Sequence, residues 1–196
     1  MGESSTVVVL APAKSRPQAG RFDQLSIALH WLTLLLVTGQ LTTAWLLVQA
    51  GSVDAASLLT VHRSLGLVTW GVVAGRLTWR LRFAHQPPFP ASMSKPQQWT
   101  ATLNEYGLYL LLLLQPLTGL GDTVFRGRPF TLVIWRAPPL LHADKPVFHA
   151  LHAVHELGAV ALLGLIGLHA AAALLHGVIL RDGVLRRMLP WTAADR

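Results

Sequence analysis

Four apolar runs divide this chain, and each is long enough to cross a bilayer. Residues 24–48, 58–81, 103–120 and 147–180 each supply close to the roughly 20 positions that a helix rising about 1.5 Å per residue needs to traverse the hydrocarbon. The reading is an all-α membrane protein, a four-helix transmembrane bundle. The fourth run exceeds the thickness of a membrane, so its first two turns, with His149 and His152, are expected to project from the hydrocarbon or begin in the interface. Composition agrees: 52% of the 196 residues are hydrophobic and only 13% are charged, about half the usual charged share.

The segments outside the runs read differently. Residues 1–22 mix Pro12, Pro17 and Gly20 with Lys14, Arg16 and Arg21, which suits a disordered cytoplasmic arm. The apolar stretch 7–11 is too short, and its bases follow rather than precede it, so no cleaved signal peptide is expected. Residues 23–190 form the bundle domain and 191–196 a cytoplasmic tail. Prolines 87, 88, 90 and 96, then 129, 138, 139 and 146, mark loops between the later spans. Eleven of the sixteen bases fall on the side of the termini: Lys14, Arg16, Arg21, Arg76, Arg80, Arg82, Lys95, Arg181, Arg186, Arg187 and Arg196. Five fall on the other, Arg63, Arg126, Arg128, Arg136 and Lys145, which predicts cytoplasmic termini. The formal charge of +7 thus serves membrane orientation, and no nucleic-acid partner is expected. No internal repeat supports an inverted-repeat transporter.

Cysteine is absent. Disulfides, cysteine-ligated clusters and covalent haem attachment are excluded together. Nine histidines remain to be explained, and five lie in the runs at membrane depth, His149 and His152 being set in the projecting turns: His30, His62, His155, His169 and His176. A neutral imidazole at membrane depth carries no charge penalty and is a good metal ligand. His155 and His169 are 14 residues apart, about 21 Å of rise and close to four turns, so they share a helix face at two depths. By depth, His62 pairs with His155 on the periplasmic side and His30 with His169 on the cytoplasmic side. Each pair can clamp one haem iron, giving a bundle that encloses two non-covalent b haems. His176, seven residues beyond His169 on the same face, is a rival for the lower iron. Taken singly, any of these histidines could instead hydrogen-bond between helices.

Arg63 adjoins His62, and Arg76 lies 14 residues further along nearly the same face, where either can meet a haem propionate or snorkel to headgroups. Gly66, Gly71, Gly75, Gly158, Gly164 and Gly167 leave room for a macrocycle or a close helix. His149, His152, His155 and Asp144 have zinc-like spacing, but a surface zinc site is not adopted. The tryptophans near span ends read as interfacial anchors. Glu105, Gln40 and Gln115 read first as interhelical hydrogen-bonding groups, and secondarily as quinone or proton contacts.

Several blocks then match a known pattern: Leu29-His30-Trp31-Leu32, His62-Arg63-Ser64-Leu65-Gly66 with Arg76 and Arg80, Tyr109 with Pro116-Leu117-Thr118-Gly119, His155-Glu156-Leu157, and Gly167-Leu168-His169 through Leu175-His176, ending in Arg181-Asp182 and Arg187-Met188-Leu189-Pro190. The chain resembles the prokaryotic cytochrome b561 family of the bacterial inner membrane, over about residues 21–190. The resemblance implies a multi-pass di-haem b protein that exchanges electrons with quinone; one type in the family oxidises superoxide at the periplasmic face and reduces ubiquinone. It assigns the iron (metal) ligands to His30, His62, His155 and His169. Glu105 stands where members often carry histidine, and Val154 where they carry an aromatic.

Bis-imidazole ligation leaves no open iron site, so outer-sphere electron transfer is the expected chemistry rather than oxygen activation. The function expected is transmembrane electron transfer between a periplasmic donor, superoxide by the resemblance, and the quinone pool. One alternative is a haem-bearing anchor subunit for a separate dehydrogenase or hydrogenase. Another is a histidine-lined metal or proton transporter.

Overall fold

The computed structural model describes residues 20–49 and 52–190. Within them run four long helices, α1 (Gln24–Gln49), α2 (Ser52–Arg82), α3 (Lys95–Phe125) and α4 (Lys145–Leu174). All four are long and apolar enough to span a membrane, the fourth counted through Leu180. The expected tail, and the arm apart from residues 20–22, lie outside the described residues.

The helices exceed the apolar runs where polar residues join the same hydrogen-bonded ladder. Thus α3 begins at Lys95 and ends at Phe125, taking in Gln97, Gln98 and Asp122, which hydropathy discounts but backbone bonding does not. Their starts are fixed by side-chain acceptors, as free N-terminal amides require. Asp23 accepts from Ser26 N at 2.9 Å ahead of α1, and Asp144 accepts from Val147 N at 3.1 Å ahead of α4. Burial pushes the Asp23 carboxyl up, but hydrogen bonds from the Ser26 side chain and backbone and from Trp79 outweigh it, leaving its pKa below the usual value. The cap is therefore fully effective above the ordinary carboxylate pKa, and fades as pH falls through the lower folded value.

Extensive packing follows chain order, α1 on α2, α2 on α3 and α3 on α4, while α1 and α4 share no comparably extensive backbone contact. At the α3–α4 seam a Cβ on Gly158 would come within 2.5 Å of Gln115 Oε1, so a larger residue there would make the Gln115 side chain shift. Gly71, Gly75, Gly164 and Gly167 instead face open space. Leu35, Val48, Leu110, Leu157 and Val160 are exposed, as expected of a lipid-facing surface. Among the described residues Val73 and Ala137 are fully buried.

Two departures from the expected loops matter. The proline-bounded segment after α3 contains an antiparallel hairpin, β1 (Phe130–Leu132) paired with β2 (Trp135–Ala137) in the register Phe130 to Ala137. Helix α4 ends in a π turn, Leu175–Leu180, followed by left-handed Arg181 at φ 49° and a 3-10 turn, Leu185–Met188.

That terminal segment folds under the bundle and ties its pieces together. Arg187 is buried and donates through Nη1 to the Pro88 carbonyl at 2.6 Å. Trp31 Nε1 donates to the Met188 carbonyl at 2.7 Å, and Arg21 donates to the Leu189 carbonyl. Trp79 Nε1 reaches Asp23 Oδ1 at 3.1 Å. Trp31 and Trp79 therefore lock helices to each other in addition to any interfacial role. Arg80 and Glu105 join α2 to α3 through paired contacts of 2.7 Å each, the bidentate geometry in which such pairs are strongest. Replacing buried Arg187 by Ala removes its charge-assisted bond to the Pro88 carbonyl, with an expected cost of about 1–3 kcal/mol. Thermal unfolding of the detergent-solubilised protein should show the loss, and Arg186→Ala, on the same turn, should lower the midpoint less.

Candidate functional site

The inner faces of α1, α2 and α4 bring four histidine rings together in two pairs. His62 and His155 lie with ring centres 6.4 Å apart and planes at 89°. His30 and His169 lie 6.1 Å apart with planes at 51°. Since His155 and His169 both belong to the unbroken α4, the pairs are stacked about 21 Å apart along the bundle.

These separations have a chemical meaning. Metal–imidazole bonds of about 2.0–2.1 Å on opposite sides of one metal ion, with each ring centre about 1.1 Å beyond its nitrogen, put the centres about 6.3 Å apart. Both observed pairs match that spacing. They are too far apart for direct hydrogen bonding between the rings.

The upper pair is also held in the right tautomer. Thr43 Oγ1 donates to the carbonyls of Gly39 and Gln40, at 3.0 and 2.9 Å, so its oxygen accepts from His62 Nδ1–H at 2.9 Å. His155 Nδ1 lies 3.0 Å from the Gln115 carbonyl, which can only accept. In both rings the proton therefore sits on Nδ1, and Nε2 keeps its lone pair for a metal, the second bond that orients a ligating histidine. Gln115 Nε2 adds a bond to the His155 carbonyl at 2.9 Å. Beside this pair lies a cavity of about 350 Å³, lined by apolar residues including Val37, Leu41, Leu59 and Leu120 and by polar ones including Arg63. Arg63 Nε donates to Thr123 Oγ1 at 3.0 Å, and its guanidinium lies 5.9 Å from the Phe130 ring centre.

The lower pair is held differently. His30 Nδ1 accepts from Arg76 Nη2 at 3.0 Å, an arrangement that places the proton of the neutral ring on Nε2. Arg76 also lies over Tyr109, 5.4 Å from its ring centre. Among the described residues no hydrogen bond holds the His169 ring. Ligation of a metal through His30 Nε2 thus requires Arg76 to turn toward another acceptor, and a propionate carboxylate is such an acceptor.

His176 is not part of either pair. It is buried in the π turn, its Nδ1 2.5 Å from Asp182 Oδ2, and the left-handed Arg181 folds Asp182 back to meet it. At the far end, His152 bonds Asp122 at 3.0 Å, with Glu156 at 3.4 Å from its other nitrogen, while Arg126 pairs with Asp122 at 3.2 Å. Among the described residues no group of three or more histidine, aspartate or glutamate side chains is arranged to hold a metal ion. Glu105 is engaged by Arg80.

Comparison with known proteins decides the family. The profile of the prokaryotic cytochrome b561 family matches residues 21–191. The chain belongs to that family. Cytochrome b561 homolog 1 of Escherichia coli K12 is 29% identical over 177 residues, covering 87% of this chain and 97% of that protein. The protein named probable superoxide oxidase CybB of Yersinia pestis is 30% identical over 177 residues, covering 87% and 96%. Cytochrome b561 homolog 2 of Escherichia coli K12 is 27% identical over 178 residues, covering 89% and 94%. A multi-pass bacterial membrane cytochrome follows, with b-type haem as cofactor and membrane electron transfer as its chemistry.

Sequence reasoning did not find Thr43, Thr123 or Asp122, although each touches a histidine or arginine of this b561 site. A threonine one turn after Gln40 carries no signal until its helix partner is known. Gly119 carried more, since it stood within a family block. A Cβ there would lie 3.0 Å from His155 Cε1, so the ring rests directly on the α3 backbone. Gly119→Ala should therefore displace His155 and lower the haem content of the purified cytochrome. Gly71→Ala, where a Cβ meets nothing within 4 Å, should leave haem absorbance unchanged.

Proposed function

We propose that the chain holds two b haems, one between His62 and His155 and the other between His30 and His169. Through them electrons pass across the membrane from superoxide at the periplasmic face to ubiquinone. The observation that carries this reading is the pair of histidine ring separations, 6.4 and 6.1 Å, one above the other along α4. A b haem clamped by two imidazoles has no open coordination site and supplies one-electron transfer. Two superoxide anions give two dioxygen molecules and two electrons, and the quinone takes both electrons with two protons.

The chain's own residues divide the remaining work. Thr43 and the Gln115 carbonyl hold the upper rings in the ligating tautomer. Arg63 lines the upper cavity, where it serves a propionate. Arg76 does the same for the lower haem on leaving His30, and His176 stays paired with Asp182 rather than ligating iron. Apolar walls keep water from the upper cofactor. The termini lie in the cytoplasm, as the distribution of bases favours. Superoxide is drawn by exposed Arg128, whereas Arg126 is partly neutralised by Asp122. The name of the Yersinia relative supports superoxide as donor.

Extraction should yield two non-covalent haems per chain; a stoichiometry of one overturns the two-level reading. His62→Ala and His155→Ala should lose the same haem, and His30→Ala and His169→Ala the other, seen as loss of one component of the reduced-minus-oxidised spectrum. If His176→Ala removes the lower haem while His169→Ala spares it, the lower assignment is wrong.

The donor is tested separately. Haem reduction by superoxide should slow as ionic strength rises, because screening weakens attraction of a small anion, and Arg128→Gln should slow it at low salt. Reduction no faster than the uncatalysed background, together with ready reduction by a co-purifying dehydrogenase, would make the chain an anchor subunit instead.

A further inference from the structure

The hairpin between α3 and α4 has a tip unlike a turn built for water. Its two turn residues are Val133 and Ile134, both β-branched and apolar, and Ile134 is 95% exposed. Trp135, the next residue, is also exposed. Two-residue hairpin turns facing water favour Asn, Asp and Gly, often at positive φ. Here neither turn residue has positive φ.

The position of the tip is fixed. Val133 N–H donates to Ser64 Oγ of α2 at 2.9 Å. Ser64 adjoins Arg63, whose Nε bonds Thr123 in the last turn of α3. The tip therefore lies level with the end of α3, where Asp122, Arg126 and His152 gather in a polar layer. Val61 and Val68, one turn before Ser64 and one turn after it on the same face of α2, are both exposed within the membrane-spanning stretch. The tip thus continues a lipid-facing stripe. On its inner side Phe130 is buried, and Phe130 and Leu132 both line the upper cavity.

We infer that this hairpin is inserted in the bilayer interface, with Val133, Ile134 and Trp135 at the acyl boundary of the leaflet farther from the termini, and Arg136 at the lipid phosphates. Apolar side chains at that depth leave water for hydrocarbon, and tryptophan and arginine favour the headgroup level. The lid of the upper cavity is then held from outside by lipid and from inside by Phe130.

The chain has no cysteine, so a single nitroxide can be attached to Ile134→Cys in the full-length holoprotein. In vesicles of phosphatidylethanolamine and phosphatidylglycerol, collisions with oxygen and with a water-soluble nickel chelate report depth. The oxygen-to-nickel ratio should fall below that of Leu35→Cys, near the middle of α1 on its lipid face, and exceed several-fold that of His142→Cys in the exposed segment before α4. A ratio like that of His142→Cys overturns the inference. So does low access to both reagents, which indicates a protein cover, with spectral broadening identifying a second copy of the chain. Trp135→Phe gives an independent reading: it should remove part of the fluorescence quenching by lipids brominated near the headgroup, and unchanged quenching counts against insertion.

Discussion

Helices in hydrocarbon gain nothing by hiding apolar side chains from lipid, so a membrane bundle depends on shape and on polar contacts. Here the decisive contacts converge on the inner face of α4. His155 is held from α3 by the Gln115 carbonyl and faces His62, itself fixed by Thr43 of α1. Further along the same helix His169 faces His30. Thus one helix presents one imidazole at each of two depths. The rings stand apart by the width that a doubly ligated metal demands, rather than packing on one another.

The two ends of the bundle are finished in different ways. At the end of the termini, buried or half-buried donors reach main-chain carbonyls: Arg187 to Pro88, Trp31 to Met188 and Arg21 to Leu189. The same end also carries the Arg80–Glu105 and His176–Asp182 pairs. At the other end ionisable side chains meet one another, as Asp122, Arg126, His152 and Glu156 do. The hairpin covers the cavity beside them.

The four spans were legible in the sequence because length and hydropathy dictate them. The two tiers were legible because 14 residues on one helix return to the same face. What the sequence withheld depended on partners distant along the chain. Thr43 gains its role only when His62 lies beside it, and Arg76 could be assigned a depth but not its bond to His30. The hairpin was hidden because three-residue strands between prolines carry too little period to register. His176 was a rival for the lower tier by spacing alone. The π turn and the reversal at Arg181 give it Asp182 as partner, and no helical periodicity anticipates that.

The open seam between α1 and α4 bears on assembly. Backbone packing runs in chain order from α1 to α4, whereas the facing rings connect α4 back to α1 and α2. Because His155 and His169 both belong to α4, the last long helix to be synthesised, each tier waits for its second imidazole until most of the chain has been made.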